Sequence, residues 1–215
     1  DNLNAAVLAP ILYEMDRPDI IWTAGESFKA DGTSCIHLNE GESKDVVEHT
    51  TAYEVNAVIG AAFFVRAKAF TSIGLFDEQY FLVHEESDWC YRARHAGFIC
   101  LVVPKASVWH KVASSFGSES SPLRIYFSTR NQLLFVEKNL SKQIWLKLIF
   151  RSIKRIAPKV YLPKQSSKPL LNRLYWALLG TISLWRSARQ KALRRATFDY
   201  LMRRFGDCPI SIRNL

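Results

Sequence analysis

Residues 60–110 read GAAFFVRAKAFTSIGLFDEQYFLVHEESDWCYRARHAGFICLVVPKASVWH, and this stretch decides the fold. Its central part, HEESDWCYRARHAG, has good helix formers and a glycine at its end, so it predicts a helix that stops before Gly97. Acidic side chains in a first turn complement the helix dipole. The first turn of this helix holds Glu85, Glu86 and Asp88. Asp88 and Arg92 lie four residues apart, which predicts a salt bridge along the helix.

The residues before the acidic helix predict a strand and a short helix. Residues 53–65 are apolar and partly β-branched, which is typical of a buried strand, and they include the small residues Gly60 and Ala61. Small residues of this kind commonly allow close packing of the backbone. Residues 67–73 then predict a short helix that is closed by Gly74.

Two short strands are predicted after the acidic helix. The first covers residues 99–103, Pro104 interrupts it, and the second covers residues 107–109 and ends at His110. A lone histidine is more often structural than a metal ligand, so its residue type alone assigns His110 no role.

The order and spacing of these residues closely resemble the family-2 glycosyltransferases of the GT-A fold, and among them the rhamnosyltransferase-like enzymes. The family pattern is G-x-x-x-x-x-R, then G-x-F-D-E-x-[FY]-F, an E-D-x-D helix with a later arginine, G-[FY], a proline and a final histidine. The matching residues are Gly60, Arg66, Gly74, Phe76, Asp77, Glu78, Phe81, Glu85, Asp88, Arg92, Gly97, Phe98, Pro104 and His110.

The resemblance implies an α/β fold in which residues 1–137 form the C-terminal half of a GT-A domain, the nucleotide-diphospho-sugar transferase fold, with a mixed sheet. In the family, the N-terminal half supplies a nucleotide-binding β-α-β unit and a D-x-D motif. Neither is found in this sequence, so the expectation is a truncated chain that is inactive alone. Residues 16–19, DRPD, do not match D-x-D and are interpreted as a turn.

The resemblance also implies the chemistry. Enzymes of this family move a sugar from a nucleotide-diphospho-sugar to a hydroxyl of a glycan or a lipid-linked acceptor, with inversion, in cell-surface polysaccharide synthesis. The second residue of their E-D-x-D motif is the base, which corresponds to Glu86 here, where the family has Asp. Glu85 is the alternative base, and Asp88 is expected to orient the helix and Arg92.

Further site residues follow from the resemblance. Gly60 and Ala61 belong to a strand that runs under the acceptor in the family, and Asp77 and Glu78 extend the predicted acceptor site. His110 matches the histidine that helps to hold a divalent metal, Mg²⁺ or Mn²⁺, which offsets charge on the departing diphosphate.

Residues 121–131 predict the start of another helix, capped by Ser121 with Pro122 at its first position. It contains Tyr126, Arg130 and Asn131, similar to a Y-x-x-x-R-N sequence of the family. Arg130 is predicted to meet a phosphate of the donor. A salt bridge into the acidic half of the chain is the alternative.

The N-terminal segments are less regular. Residues 5–10 are interpreted as the end of a loop or helix followed by a short strand, and residues 20–22 as another strand. Residues 26–52 lack periodicity and predict a long loop, which is either a functional lid or disordered.

Charge is distributed unevenly along the chain. Residues 138–215 contain 18 lysines and arginines and two acidic residues, so residues 1–137 hold 11 basic and 18 acidic residues. Residues 138–215 are therefore predicted to be a basic helical appendage with an anionic surface as partner. Basic residues interleaved with aromatic ones can bind nucleic acid, but the leucine-rich periodicity favours lipid or protein, so no nucleic-acid partner is expected.

The basic region predicts two helices. One begins after Leu140 and is amphipathic, with Trp145 and Phe150 on its apolar side and Lys147 and Arg151 on its cationic side, until Pro158 and Pro163 break it. The second covers about residues 170–205 and is stopped by Gly206. Either residues 140–205 lie on an anionic membrane surface, or their apolar faces pack on the catalytic domain.

The remaining features bear on the cellular compartment. The four cysteines form no C-x-x-C pair, and the sequence shows no signal-peptide pattern. Within the basic region, the longest run without a charged residue is too short to span a bilayer. The expectation is a cytoplasmic protein that is peripheral at the inner face of the membrane. A non-catalytic, membrane-associated binding or scaffold module is the alternative function.

Overall fold

The computed structural model describes residues 4–47, 51–111, 116–118, 120–157 and 185–215. A mixed sheet runs through its first half in the strand order β2-β1-β7-β5, with β6 also paired to β1, and β3 and β4 form a separate hairpin. The strands are β1 (Ala5–Glu14), β2 (Ile21–Thr23), β3 (Glu26–Phe28), β4 (Cys35–His37), β5 (Tyr53–Val55), β6 (Phe64–Val65) and β7 (Ile99–His110).

The parallel pair of β1 and β7 is the centre of the sheet. Their register runs from Ala5 opposite Ile99 to Glu14 opposite His110, whereas the other pairs in this sheet are antiparallel. Nearly every residue of β1 is buried, on both faces, as in parallel strands that are covered by helices. The short strand predicted over residues 5–10 is therefore a long central strand.

The two short strands predicted around Pro104 are one strand. The register of β7 against β1 shifts between Val103 and Ser107, so the residues around Pro104 form a bulge. Proline lacks the N–H that a ladder position needs, which explains an irregularity at this point. The prediction of a break was wrong, and His110 ends one continuous strand of 12 residues.

The single buried strand predicted over residues 53–65 is wrong. The structure has β5, a 3₁₀ turn at Gly60–Ala62, and β6. Asn56 explains the change of direction, because its Oδ1 accepts hydrogen bonds from the Ser27 hydroxyl and the Phe28 backbone N–H. These bonds tie the chain to β3, so it leaves the sheet. The loop predicted over residues 26–52 likewise contains the β3–β4 hairpin and a 3₁₀ turn at Lys44–Val46.

The predicted helices are mostly confirmed. They are α1 (Ala67–Ile73), α2 (Glu85–His95), α3 (Pro122–Asn139), α4 (Lys142–Ile156) and α5 (Ala188–Leu201), and a short α6 (Ile210–Arg213) was not predicted. Gly74 and Gly97 follow α1 and α2 with positive φ, and Ser121 caps α3 by accepting from the Arg124 N–H. Helix α5 ends at Leu201, earlier than the predicted stop at Gly206. Residues 158–184, with Pro163 and the first part of the predicted second helix, lie outside the described residues.

Helix α2 is anchored by its buried side. Trp89 and Cys90 have no exposed surface and belong to the core beneath β1 and β7. The Trp89 indole N–H donates to the Gly74 carbonyl at 2.8 Å, and the ring lies among Phe63, Phe70 and Phe76. This packing fixes the helix whose first turn carries the predicted catalytic carboxylates.

The basic region shares a core with the rest of the described chain. Helix α3 packs on α4 and α5, and the boundary predicted between residues 137 and 138 lies within α3. Leu148 of α4 and Tyr200 of α5 join one apolar cluster with Tyr80 and Leu134. The packed alternative holds for α5 and for one side of α4, whereas Phe150 and Ile153 of α4 are exposed. Within the described residues, every helix is too short or too polar to cross a bilayer.

Candidate active site

The loop that leads into α2 has an unusual backbone. Phe81, Val83 and His84 all have positive φ, between 61° and 77°. A β-branched residue such as Val83 rarely adopts this conformation, because its side chain crowds the backbone, so the surrounding structure has to hold it. The loop determines where Glu85 and Glu86 enter the helix.

Helix α3 holds this loop through two adjacent side chains. The Asn131 side-chain amide donates to the carbonyls of Tyr80, Leu82 and Val83 at 2.7–2.8 Å. The Arg130 guanidinium donates to the carbonyls of Tyr80 at 2.9 Å and Gly206 at 2.7 Å, and its side chain is fully buried. We call Arg130 and Asn131 the loop clamp.

The position of Arg130 bears on its predicted role. Its donors reach backbone carbonyls, the Tyr126 hydroxyl and the Asn131 side-chain oxygen. Among the described residues, Arg130 forms no salt bridge of the kind expected as the alternative. Binding of a phosphate by Arg130 stays a prediction, and its contacts here are those of a structural residue.

Asp88 also has a positioning role. Its carboxylate accepts hydrogen bonds from the Tyr80 hydroxyl, the Asn139 side chain and Arg92, and the predicted salt bridge to Arg92 is present at 2.8 Å. Arg92 donates onward to the carbonyls of Ile73 and Leu75. Asp88 therefore ties α2 to the segment before it, as expected.

A cavity of about 530 Å³ lies at the start of α2. It brings together five of the predicted site residues: Gly60, Ala61, Glu85, Glu86 and His110. Its volume falls within the range of about 300–1,000 Å³ that is typical of small-molecule sites. We call it the carboxylate cavity. Asp88, Asp77 and Glu78 are not among its lining residues.

Asp77 and Glu78 lie away from the carboxylate cavity. Asp77 forms an ion pair with Lys138 of α3 and accepts from the Gln79 N–H. Glu78 is exposed. Their predicted contact with an acceptor stays a prediction, and the structure gives Asp77 a contact between the loop and α3.

Glu86 is the most perturbed carboxylate in the cavity. Burial raises its pKa to about 8, with help from the nearby charges of Glu85 and Glu26, although the backbone N–H groups of Glu86 and Gly60 oppose this shift. Within the described part of the chain, its Oε2 atom is buried without a hydrogen-bond partner. Buried polar atoms are nearly always bonded, so this orphan oxygen is available to a ligand.

Glu85 shares these properties. Burial raises its pKa, and among the described residues its Oε2 atom also lacks a partner. The structure therefore keeps both glutamates as candidates for the base. Glu86 has the stronger shift, and the Gly60 backbone lies against its carboxyl group.

A third glutamate, Glu26 on β3, lines the same cavity and was missed from the sequence. It is 6% exposed, burial raises its pKa, and its Oε1 lies 3.4 Å from His37 Nε2. Its Oε2 atom, too, has no partner within the described residues. Glu26 falls in a segment interpreted as a loop, and no motif marks it. Only the β3–β4 hairpin brings it to α2.

His110 meets the cavity from the end of β7. Its ring lies against Trp22, with the ring centres 4.5 Å apart, and Trp22 also contacts His37 edge-on. Within the described ranges, no three His, Cys, Asp or Glu side chains are grouped as a metal site requires. The described residues thus do not by themselves fit a divalent metal, and His110 offers one ligand nitrogen at most.

Comparison with known proteins supports a glycosyltransferase. No protein-family model matches the chain. Over 151 residues it is 24% identical to dTDP-rhamnosyl transferase RfbF of Shigella flexneri, a match that covers 65% of this chain and 46% of that protein. A 60-residue stretch is 40% identical to the N-acetylglucosaminyl-diphospho-decaprenol L-rhamnosyltransferase of Mycobacterium tuberculosis, covering 28% of this chain and 20% of that protein. The matched region spans less than half the length of either relative.

The buried carboxylates predict a pH-dependent stability. The folded state holds the Glu86 proton up to a pKa of about 8, whereas the unfolded chain releases it near 4.5. The free energy of unfolding should therefore fall as the pH rises from about 4.5 to 8, because the unfolded state binds fewer protons there. Glu86→Gln cannot ionise, so in urea unfolding its stability should fall less over this range.

Glu78→Gln is the matched control, because it removes an exposed carboxylate of the same length. It should show the wild-type dependence on pH. A Glu86→Gln protein whose unfolding curve follows the wild type from pH 5 to pH 9 would contradict the burial of that carboxyl proton.

Proposed function

We propose that this chain forms the acceptor side of the active site of an inverting, family-2, GT-A glycosyltransferase of the rhamnosyltransferase type. The observation that carries the proposal is the carboxylate cavity. It combines a half-buried glutamate at the first turn of α2, a buried carboxylate oxygen that has no partner among the described residues, and a neighbouring 3₁₀ turn of small residues. Similarity to two rhamnosyltransferases supports it.

In the proposed reaction an acceptor hydroxyl attacks the anomeric carbon of the donor sugar in one displacement. The new bond joins the acceptor oxygen to the sugar, the bond from that carbon to the diphosphate breaks, and the proton passes to Glu86. A base works best when its pKa lies near the operating pH, which suits a carboxylate with a pKa of about 8. Glu26 strengthens this basicity through its charge.

The donor is proposed to be a nucleotide-diphospho-sugar, with dTDP-rhamnose as the first choice because of the name of the Shigella relative. The acceptor is a glycan or a lipid-linked sugar, as the name of the mycobacterial relative indicates. A divalent metal, Mg²⁺ or Mn²⁺, would neutralise charge on the leaving diphosphate, and His110 would supply one ligand.

We also propose contact with the inner face of a membrane. The exposed side of α4 presents Phe150, which is 72% exposed, and Ile153, with Lys147, Arg151 and Lys154 alongside. Apolar side chains beside cationic ones suit an interface with anionic lipids.

A transfer assay tests the proposed function. The protein at its full length is incubated with dTDP-rhamnose, Mg²⁺ or Mn²⁺, and a synthetic N-acetylglucosaminyl-diphospho-lipid. We expect a rhamnosylated lipid whose new linkage, assigned by NMR, has the anomeric configuration opposite to that of the donor. Retention of configuration would refute the single displacement, and absence of transfer with a panel of nucleotide sugars would refute the function.

A further inference from the structure

A second cavity, of about 340 Å³, lies beside the carboxylate cavity and is lined by arginines from three different helices. Arg124 comes from α3, Arg155 from α4 and Arg189 from α5. The cavity is also lined by residues with hydroxyl and amide groups. They belong to Ser34, Ser128, Thr129 and Gln132. We call it the arginine cavity.

Arg155 and Arg189 have no acidic partner within the described protein. No acidic side chain is among its described lining residues, and in the same part of the chain no carboxylate lies within ion-pair distance of Arg155 or Arg189. Arginines that converge without carboxylates repel one another, and a multivalent anion relieves this repulsion. The planar guanidinium matches phosphate oxygens with paired hydrogen bonds.

The two cavities adjoin one another. They share the lining residues Ser34, His84, Arg124 and Ser128. Burial and the charge of Arg124 lower the pKa of His84 to about 4, so its ring is uncharged at neutral pH and adds no further positive charge. A ligand that occupies both cavities therefore passes the side chains that the two cavities share.

We propose that the arginine cavity binds the diphosphate of a lipid-linked acceptor while the sugar of that acceptor occupies the carboxylate cavity. This inference rests on the proposed function and narrows its acceptor to sugars joined through a diphosphate. It also assigns phosphate recognition to Arg124, Arg155 and Arg189.

The acceptor is favoured over the donor as the source of the diphosphate because of α4. The helix that supplies Arg155 also lines a neighbouring groove of about 870 Å³ with the apolar side chains of Leu146, Phe150 and Ile153. The same helix thus carries a cation of the arginine cavity and an apolar groove, the two kinds of partner that a diphospho-lipid needs, whereas a nucleotide needs polar partners for its base and ribose.

Acceptor kinetics of a double variant test the inference. Arg155→Gln/Arg189→Gln should raise the KM for an N-acetylglucosaminyl-diphospho-lipid by about 10- to 100-fold, the loss expected for charge-assisted hydrogen bonds at a partly exposed site. The KM for an alkyl N-acetylglucosaminide, which lacks the diphosphate, should stay within about twofold, since its groups form no bonds to these arginines. Lys142→Gln/Lys191→Gln is the matched control, because it removes one exposed charge from each of the same helices outside the cavity.

Other outcomes overturn the inference. If the double variant raises the KM for both acceptors equally, or for neither, the arginines do not recognise the diphosphate. If the KM for dTDP-rhamnose rises and that for the diphospho-acceptor does not, the cavity belongs to the donor.

Calorimetry with inorganic pyrophosphate, without divalent metal, gives a readout that needs no activity. We expect binding by the wild type and the lysine control and a loss of at least about tenfold in the arginine double variant. Pyrophosphate binding without any sugar transfer would refute the proposed function and still support the anion site. Absence of pyrophosphate binding by the wild type would refute the site even in an active enzyme.

Discussion

Glu86→Gln should lower the turnover number by about 10²–10⁴-fold, the usual contribution of a general base. Glutamine keeps the size of the side chain and its contact with the Gly60 backbone but does not take the acceptor proton. The KM for the donor should change little, because the donor is not expected to contact this group. Steady-state kinetics with saturating acceptor, at a pH above 8, measure the effect.

Glu85→Gln is the comparison that makes this result specific. Glu85 lines the same cavity, is also half-buried and lies one residue earlier in the same turn. If Glu85→Gln is inactive and Glu86→Gln is active, the two glutamates exchange roles. If both variants keep near-normal turnover, the carboxylates only complement the helix dipole, and the proposed mechanism is wrong.

Arg130→Ala should lower the free energy of unfolding by about 3–5 kcal/mol, which is large for one substitution. The fully buried guanidinium donates to the carbonyls of Tyr80 and Gly206, and its loss leaves these acceptors buried without their donors. The loop before α2, with its positive-φ residues, should loosen first. Urea unfolding measures the global loss, and amide exchange of residues 80–84 measures the local one.

Lys191→Ala is the control for this prediction, because it removes an exposed cation from α5 and should leave stability within about 0.5 kcal/mol of the wild type. A stable Arg130→Ala protein with weakened nucleotide binding would instead support the phosphate role predicted from the sequence. Asn131→Ala should loosen the same loop, since it removes the bonds to Leu82 and Val83.

Local signals in the sequence were sufficient for the helices and for part of the site. Gly74, Gly97 and Ser121 mark helix ends by their own backbone chemistry, so α1, α2 and the start of α3 were predicted closely. Glu85 and Glu86 lie in the first turn of α2, as predicted, and both line the cavity, whereas their catalytic role comes from the resemblance and stays a prediction. The spacing of Asp88 and Arg92 was enough to predict their salt bridge.

Long-range contacts account for what the sequence did not show. The side chain of Asn56 turns the chain out of the sheet through bonds to β3, 28 and 29 residues away, which no local pattern encodes. Glu26 reaches the cavity only through the β3–β4 hairpin. Arg155 and Arg189 belong to the basic region, for which the sequence predicted only an anionic surface as partner. They come together because α4 and α5 both pack on α3.

The pairing of β1 with β7 sets the order in which the chain can fold. Ala5 lies opposite Ile99, so β1 cannot form its parallel pair until a strand more than 90 residues later has been synthesised. At the usual rate of about 5–20 residues per second, the apolar β1 stays without its parallel partner on the ribosome for roughly 5–20 s. Parallel strands that are distant in sequence also close slowly. During that interval one edge of the segment AAVLAPILYE, which has no charge before Glu14, lacks its parallel partner and is prone to aggregate. Production of the protein in cells should therefore depend on chaperones that bind nascent chains.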